Sequence, residues 1–379
     1  MTAIVRPASS QTAQLDMTVS HQLDDPEWDE FLATTPEGSY AQTSLWAQAR
    51  EALGDRVARV ILRSGKHIVG GAQMLIRPIV FGESFGYVPL APVLNRNHHG
   101  WAKQIVGELC RVVRTEGVQF LAVQPPQGSD GVLDALGDCG FRPSPLELTP
   151  SATRLIDLRY NLDDIFSQIQ PKTRRNIRFG ERNGVTSREG SGRDIPIFYR
   201  LHAESAKRQG FSAYPEDYYS RVWQAFALPR RAALFIAEFR GEPVAALFVI
   251  AYGDKVTDWK AGWSGAYGSC HPNEVIKWAA IKWAKSHGFH FYDVGGIRRD
   301  AVEMMLRGER MPNCLAAAVH FKVRYGGHSA LFPEAHIYVS NPVLRWAYRK
   351  FAPEVAASGP LSTVINWYRR RQYKNRSEC

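Results

Sequence analysis

The sequence predicts an α/β (α+β) protein made of two similar domains, each with a mixed β-sheet. First, its 379 residues are about two and a half times the length of a typical domain, which favours two cores. Second, 45% of the residues are hydrophobic and 22% are charged, which excludes fibrous and wholly disordered chains. Third, a set of predicted elements occurs twice. The longest apolar run, residues 244–252, is about half as long as a bilayer-spanning helix, so no transmembrane segment is expected.

A helix followed by a short buried strand is predicted twice. Residues 101–126 contain WAKQIVGELCRVVRTEG and then VQFLAVQPP, and residues 273–296 contain NEVIKWAAIKWAKSHG and then FHFYDVGG. In both segments apolar residues recur every three or four positions, as in an amphipathic helix. A glycine suited to a left-handed cap follows each helix, at Gly117 and Gly288. These two glycines are 171 residues apart (288 − 117).

A β-hairpin is also predicted twice, upstream of each helix. RSGKHIVGGAQMLI (63–76) and FRGEPVAALFVIAYG (239–253) each place a turn glycine, Gly65 or Gly241, before an apolar strand. The offset of 176 residues (241 − 65) is close to that of the helices, and the order is the same. We therefore predict a duplicated unit, with a chance likeness between two ordinary α/β domains as the alternative.

The repeat also predicts domain boundaries. The first domain is expected to cover residues 15–150 and the second residues 151–334. Residues 335–379 contain no third copy of the repeat, and we expect them to form a helical segment that ends in a basic tail.

Positive charge is concentrated in two segments. The net charge is +10, and residues 172–182 contribute +4 while residues 344–379 contribute +6. The first of these segments is predicted to be helical. Because neutralised phosphates release counterions, such segments attract polyanions. We predict RNA or phosphate contacts from Arg174, Arg175, Arg178, Arg369, Arg370 and Arg371. A solvated helix face and a tail without a ligand are the alternative.

The sequence has no motif for a nucleotide, a metal or a disulfide scaffold. Its five cysteines are far apart and form neither a CxxC motif nor a Cys/His cluster. The glycine-rich nucleotide motifs and the H-E-x-x-H zinc motif are absent. Residues 82–86 fit the G-x-S-x-G pattern of a serine nucleophile, but two prolines follow, so we interpret this segment as a loop between strands. We expect no metal and no cofactor.

Two segments carry candidate catalytic residues. In YDVGGI (292–297), Asp293 ends a predicted strand before two glycines, where it could orient an amine or accept a proton. A structural turn capped by Asp293 is the alternative. In HFKVRYGG (320–327), a predicted strand places Lys322 and Arg324 on one side. The ammonium of Lys322 could stabilise a developing oxyanion, and a plain surface lysine is the alternative.

Seven motifs follow one another in an order that has a known counterpart. They are Gln42-x-x-x-Trp46, GGAQMLIRP, YVPLAPVL, PKTRRNIRFGERNGV, HPNEVIKWAAIKWA, YDVGGI and HFKVRYGG. This ordered set, over about residues 25–335, resembles the Fem family of peptidoglycan bridge-forming aminoacyltransferases. The resemblance implies two tandem GNAT-like domains, with the C-terminal segment returning to the first. It also implies transfer of an amino acid from aminoacyl-tRNA to an amine on a muropeptide or a peptide-like metabolite.

The resemblance further implies roles for individual residues. Lys322 matches a lysine that would lie near the ester carbonyl and stabilise charge there. Arg50 matches a position associated with the phosphates of the acceptor. Arg208 and Tyr214 match acceptor-binding residues, and Trp259 matches an aromatic position before an Ala-Gly pair.

Two other functions are compatible with the sequence. One is a GNAT-type acyltransferase that uses acyl-CoA, although the chain has no convincing [RQ]-x-x-G-x-[GA] phosphate loop. The other is a non-catalytic protein that binds tRNA or an envelope precursor. The first 16 residues lack the features of a secretory signal, so we expect a cytoplasmic protein. The basic tail predicts weak peripheral contact with the inner face of the membrane, and the oligomeric state stays open.

Overall fold

The computed structural model describes most of the chain. The described residues are 15–79, 84–95, 100–144, 150–228, 230–312, 317–343 and 345–346, and every structural statement below concerns them. Within these ranges, no helix combines the length and apolar character needed to span a membrane. Most of the predicted C-terminal helical segment, with Arg369, Arg370 and Arg371, lies outside the described residues.

Strands and helices alternate along the chain, as the predicted α/β class requires. The strands are β1 (Leu15–Ser20), β2 (Arg56–Ser64), β3 (His67–Pro78), β4 (Ser84–Val88), β5 (Val93–Leu94), β6 (Val118–Val123), β7 (Arg142–Pro143), β8 (Ala152–Asp157), β9 (Val185–Glu189), β10 (Ala232–Phe239), β11 (Glu242–Tyr252), β12 (Lys255–Trp263), β13 (Phe291–Asp293), β14 (His328–Leu331) and β15 (His336–Val339). The α-helices are α1 (Pro26–Thr34), α2 (Ser44–Glu51), α3 (Ala102–Thr115), α4 (Asp130–Asp138), α5 (Leu162–Gln168), α6 (Pro171–Arg182), α7 (Ile195–Gln209), α8 (Glu216–Ala227), α9 (Pro272–Ser286), α10 (Arg299–Leu306) and α11 (Ala317–Val323).

The described strands form two mixed sheets whose orders match position by position. The first sheet runs β1-β2-β3-β4-β6-β15-β7, with β5 paired to β3, and the second runs β9-β10-β11-β12-β13-β8-β14. In each sheet the fourth and fifth strands are parallel, and the other neighbours along the order are antiparallel. The sixth strand of the first sheet is β15, so the chain returns to the first sheet after it has built the second.

The predicted repeat elements are found in both sheets. The hairpins β2–β3 and β10–β11 turn at Gly65 and Gly241, where φ is +60° and +83°. The helices α3 and α9 are followed by Gly117 and Gly288, where φ is +66° and +80°. Because a Cβ disfavours this region of φ, glycine suits all four positions. The predicted hairpins and helices are therefore confirmed.

Each sheet has its own hydrophobic core, and a third core joins the two. The third cluster combines Trp46 and Leu75 from the first part of the chain with Tyr218 and Phe248 from the second. The ring of Trp259 on β12 lies 6.1 Å from that of Trp46 on α2, edge to face. This shared core fixes α2 against β12, so residues from both sheets can contribute to one site.

Three segments differ from the predictions. The strand predicted over residues 320–327 is wrong, because α11 covers Ala317–Val323. Val319 and Val323, which are both buried, are four residues apart, as expected on one face of a helix. In so short a segment, the spacing of apolar residues does not distinguish a helix from a strand. The loop predicted over residues 82–86 is wrong from position 84, where β4 begins. The segment after residue 335 begins with a strand, β15, rather than with a helix.

Candidate active site

The two parallel strands of the second sheet separate after a short paired stretch. β12 and β13 pair over three residues, ending at Thr257 and Asp293. Trp259 then forms a β-bulge, because its two neighbours in β12 pair with consecutive residues of β11. The chain after β13 turns toward β8, where Val294 N donates to Arg154 O at 3.1 Å. The ladder between β12 and the residues that follow β13 therefore stops here, and we call this unpaired end of the two strands the gap.

Lys322 reaches this gap from α11. Its Nζ donates to Gly296 O at 2.6 Å. At Gly295, where φ is +78°, a Cβ would lie 2.7 Å from Asp258 O and 3.4 Å from Lys322 Nζ, so it would collide with the backbone of β12 while only touching the lysine, and glycine is required here. Burial, followed by the nearby charge of Lys277, lowers the pKa of Lys322 to about 8. A substantial fraction of the ammonium form is therefore present near neutral pH.

Asp293 closes the turn that carries Gly295. Its Oδ1 accepts from Thr153 Oγ1 at 2.5 Å and from Gly295 N at 2.9 Å. The residue is 7% exposed, and its Oδ2 makes no hydrogen bond to the described part of the chain. These contacts are those of the structural turn considered as the alternative. A role for Oδ2 in orienting an amine stays a prediction.

A buried ion pair next to Lys322 is missing from the sequence-based predictions. Lys277 Nζ on α9 lies 2.5 Å from Asp258 Oδ2 on β12. Asp258 Oδ1 accepts from Tyr292 OH. One signal for it was present, since Lys277 stands among the apolar residues of HPNEVIKWAAIKWA. Nothing in the local pattern of β12 marks Asp258 as its partner, because that pairing depends on tertiary packing.

A second cluster, which we call the cationic cluster, contains Arg50, Arg77, Lys260, Tyr214 and Asp55. Asp55 binds both guanidinium groups, with Arg50 Nη2 at 2.6 Å and Arg77 Nε at 2.6 Å from its oxygens. Although burial opposes it, the charges of Arg50, Arg77 and Lys260 lower the pKa of Tyr214. Burial and then Arg50 lower the pKa of Lys260, against the effect of Tyr214. The cluster brings three cationic side chains close together, and such a concentration of cations attracts anions.

Arg50 and Tyr214, which the resemblance predicts as acceptor-binding residues, lie close together in the structure. Arg208, which it predicts for the same role, has other contacts. Arg208 Nη2 donates to Trp263 O and to Ser205 Oγ, the latter at 3.2 Å. Its guanidinium carbon lies 5.1 Å from the ring centroid of Trp263. Within the described ranges, no hydrogen bond or ion pair joins Arg208 to Arg50 or Tyr214. Sequence reasoning missed Arg77, because its pairing through Asp55 is not a local feature.

Trp259 lies in the shared core rather than in the open gap. Its ring packs against those of Trp46, Tyr218, Tyr219 and Phe248, at 6.1, 5.9, 5.8 and 5.0 Å between centroids. These contacts hold the bulge of β12 in place. A direct contact with the acceptor stays a prediction.

The basic segment forms α6, as predicted, and its cations have few internal partners. Arg175 and Arg178 are exposed and Arg174 is half-buried. In the part of the chain that is described, no carboxylate lies within ion-pair distance of any lysine or arginine of α6. Some exposed arginines elsewhere, such as Arg159 and Arg188, do pair with aspartates. The unpaired charge of α6 is thus available to an external anion.

The gap and the cationic cluster offer different chemical groups. No group of three or more His, Cys, Asp or Glu side chains in the described ranges could hold a metal ion. The gap offers an ammonium group, which suits a negative charge that develops on a carbonyl oxygen. The cationic cluster offers guanidinium groups, which suit phosphate.

Comparison with known proteins finds a match in each half of the chain. Residues 23–131 match the FemAB family, and residues 171–301 match the acetyltransferase (GNAT) domain. The UDP-N-acetylmuramoylpentapeptide-lysine N(6)-alanyltransferase of Weissella viridescens is 23% identical over 74% of this chain and 88% of that enzyme. The lipid II:glycine glycyltransferase of Staphylococcus haemolyticus is 21% identical over 58% of this chain. The chain spans about half of that relative's length, 55%.

Comparison with solved structures gives the same result for the fold. The crystal structure of FemX superposes with a TM-score of 0.75 at 16% identity, over 88% of this chain and 99% of that one. Together with the family matches and the two sheets of equal order, this similarity confirms the resemblance to the Fem family and its fold of two tandem GNAT-like domains.

Proposed function

We propose that this protein is a Fem-type aminoacyltransferase that moves an amino acid from aminoacyl-tRNA to an amine of a peptidoglycan precursor. The observation that carries the proposal is the gap between β12 and the residues after β13, with the ammonium of Lys322 at its edge. Only one of its three N–H groups is hydrogen-bonded to a described residue. The names of the two enzyme relatives, which act on a muramoyl pentapeptide and on lipid II, support the acceptor class.

The proposed reaction is the aminolysis of an ester. The neutral amine of the acceptor attacks the ester carbonyl carbon and forms a C–N bond. The C–O bond to the ribose then breaks, and the amine proton ends on the ribose hydroxyl that leaves. Because the ester is already activated, the protein has to position the two reactants and stabilise the oxyanion. We assign the oxyanion to Lys322 and the orientation of the amine to Asp293 Oδ2.

The cationic cluster is proposed to hold phosphates of the acceptor. Asp55 pairs with Arg50 and Arg77, and the ammonium of Lys260 adds a further positive charge nearby. We propose a further hydrogen bond to the phosphate from Tyr214, whose pKa these charges lower. We keep Arg208 and Trp259 as proposed contacts to other parts of the acceptor.

The face of α6 is proposed to hold the RNA of the donor. Arg174, Arg175 and Arg178 lie on neighbouring turns without carboxylate partners in the described ranges. Phe179 on the same helix is 44% exposed, so an aromatic ring accompanies the charges. Exposed rings beside guanidinium groups suit nucleic acid, since bases stack on rings and phosphates bind arginine.

The proposal is tested by supplying radiolabelled aminoacyl-tRNAs with a muropeptide precursor and a panel of small amines, and acetyl-CoA in a parallel reaction. We expect label to reach an acceptor, and RNase treatment of the donor to abolish the transfer. Label that arrives only from acetyl-CoA would instead support an acyl-CoA-dependent acyltransferase, which the match to an acetyltransferase domain keeps as a second candidate. Binding of tRNA without any transfer would support a non-catalytic protein.

A further inference from the structure

A buried ion pair lies next to the proposed catalytic lysine. The side chains of Lys277 and Asp258 are only 4% and 10% exposed, and their charged atoms are 2.5 Å apart. The second oxygen of Asp258 accepts from Tyr292 OH. A buried pair of this kind adds little stability over apolar side chains of similar size, because both charges lose their hydration. Stability alone therefore does not account for it.

Lys277 also contacts the segment that carries Lys322. Its Nζ lies 5.4 Å from the ring centroid of Phe321 and 5.1 Å from that of Tyr325, within the range of cation–π interactions. The hydroxyl of Tyr325 is buried without a hydrogen-bond partner among the described residues, so the ring itself provides the contact. Phe321 and Tyr325 lie one residue before and three residues after Lys322, so Lys277 contacts the segment that carries Lys322 on both sides of it.

The pocket around Lys322 contains charges of both signs. The titratable groups are Lys277 on α9, Asp258 and Lys260 on β12, Tyr292 and Asp293 on β13, and Tyr325 after α11. Burial raises the pKa values of both phenols well above their usual range, so the phenols stay neutral. Lys277 and Asp258 act on the pKa of Lys322 in opposite directions, downward and upward. The effect of Lys277 is the larger of the two.

We propose that Lys277 and Asp258 are positioning residues, which hold Lys322 at the gap and set its charge by acting on it as an opposed pair. This inference rests on the proposed function, because it assigns the pair to the ammonium that would stabilise the oxyanion. The two residues touch Lys322's surroundings rather than the substrate. Each can therefore be removed without removing the group that would face the reaction.

The test is the pH dependence of single-turnover transfer in three variants. If transfer needs the ammonium form, the rate of the wild type falls as the pH rises through about 8, the pKa of Lys322. Lys277→Met removes a positive charge, so we expect the alkaline limb to move up by about one pH unit. Asp258→Asn removes a negative charge, so we expect the limb to move down. The double variant keeps neither charge and should lie between the two.

A matched control and a second measurement keep the test decisive. Lys285→Met removes another lysine of α9, whose Nζ donates to Leu158 O at 2.9 Å, and should leave the alkaline limb unchanged. Competitive labelling of Lys322 with acetic anhydride, read by mass spectrometry across pH, measures its pKa in each folded variant without any substrate. This second measurement does not depend on the proposed function.

The outcomes separate the two proposals. Opposite shifts in labelling, with no transfer from any aminoacyl-tRNA, would support the positioning pair and overturn the proposed function. Transfer that falls equally at all pH values in both single variants, with an unchanged labelling profile of Lys322, would overturn the positioning pair. If Asp258→Asn fails to fold, the alkaline limb of Lys277→Met is compared with that of the double variant. The positioning pair predicts a limb at lower pH in the double variant, and an equal limb in both would overturn it.

Discussion

The parallel strand pairs of the two sheets differ in how long they stay together. In the first sheet β4 pairs with β6 up to Val88, and the ladder continues because Gln124 N donates to Val88 O at 2.9 Å and Ala91 N to Gln124 O at 3.0 Å. In the second sheet β12 and β13 pair over three residues and separate at the bulge of Trp259. One strand order thus gives a closed end and an open end.

The side chains near the ends of the two parallel strand pairs also differ in their chemical character. At the closed end, buried amides meet backbone oxygens, as where Gln42 Nε2 donates to Pro89 O at 2.7 Å and to Gln73 O at 3.1 Å. At the open end, Lys277 and Lys322 are close enough for the charge of Lys277 to lower the pKa of Lys322. Burying charge is costly unless it is paired or serves a function. The first sheet also buries a charge, that of Arg59, which pairs with Asp25, but only the open end places a lysine where the ladder stops. We therefore propose that the second domain carries the chemistry and that the first supports it.

The largest expected effect comes from filling the gap. In Gly295→Ala the new Cβ would lie 2.7 Å from Asp258 O and 3.4 Å from Lys322 Nζ. We expect transfer to fall by about 100-fold, because the clash with the backbone of β12 would displace the turn whose Gly296 O accepts from Lys322 Nζ. Gly253→Ala is the matched control, since Gly253 also has positive φ, +58°, but open space around it. It should cost about 1 kcal/mol of stability and leave the transfer rate unchanged. A folded Gly295→Ala protein with the wild-type rate would show that the gap is not the reaction site.

The next effect concerns the cationic cluster, where the first domain meets the second. In Arg50→Ala the acceptor phosphates lose one guanidinium, while Arg77 still neutralises Asp55. We expect KM for the acceptor to rise by about tenfold with little change in kcat. Arg56→Ala is the control, because Arg56 is exposed and pairs with Glu116 at 2.7 Å. The measurement is steady-state kinetics at varied acceptor concentration. An unchanged KM for the acceptor in Arg50→Ala would show that the cationic cluster does not bind the acceptor.

A smaller effect is expected on the α6 face. Arg175→Glu/Arg178→Glu should raise KM for aminoacyl-tRNA several-fold and reduce the salt dependence of RNA binding by about one unit of slope per lost phosphate contact. Arg111→Glu/Arg114→Glu is the matched control in the first domain, with the same spacing on the exposed face of α3. Equal losses in both double variants would mean that binding follows net charge and not the face of α6.

The sequence predicts the duplicated unit well, because hairpin glycines and helical periodicity are local features. From features of short segments it also predicts that α6 is helical and singles out Lys322 as a candidate catalytic residue. It does not predict that Lys322 lies on a helix, since α11 is only seven residues long. Asp55, Asp258 and Arg77 could not be found, because each acquires its partner through tertiary packing. The open end of the second sheet depends on where the ladder between β12 and β13 stops. No residue pattern in β12 alone predicts that position.

The smallest effect concerns the helix that packs on β12 beyond the bulge. His202 on α7 is 4% exposed, its Nδ1 lies 2.8 Å from Ala261 O, and burial lowers its pKa to about 4. Below a pH of about 6.5, the unfolded chain binds a proton that the folded protein excludes until about pH 4, so stability is lost as the pH falls through this interval. We expect a loss of about 2 kcal/mol between pH 7 and pH 5. In His202→Asn, which lacks this titration, urea unfolding should show a smaller loss; an identical loss would contradict the assignment.

The comparison of the two ends is tested most directly by one pair of variants in single-turnover transfer from aminoacyl-tRNA. Lys322→Met removes the charge at the open end, and Gln124→Leu removes a buried polar side chain at the closed end, where Gln124 is 1% exposed. We expect Lys322→Met to transfer at least about 100-fold more slowly than the wild type, and Gln124→Leu to match the wild type. Unchanged transfer by folded Lys322→Met, or an equal loss in both variants, would contradict the assignment of the chemistry to the open end of the second sheet.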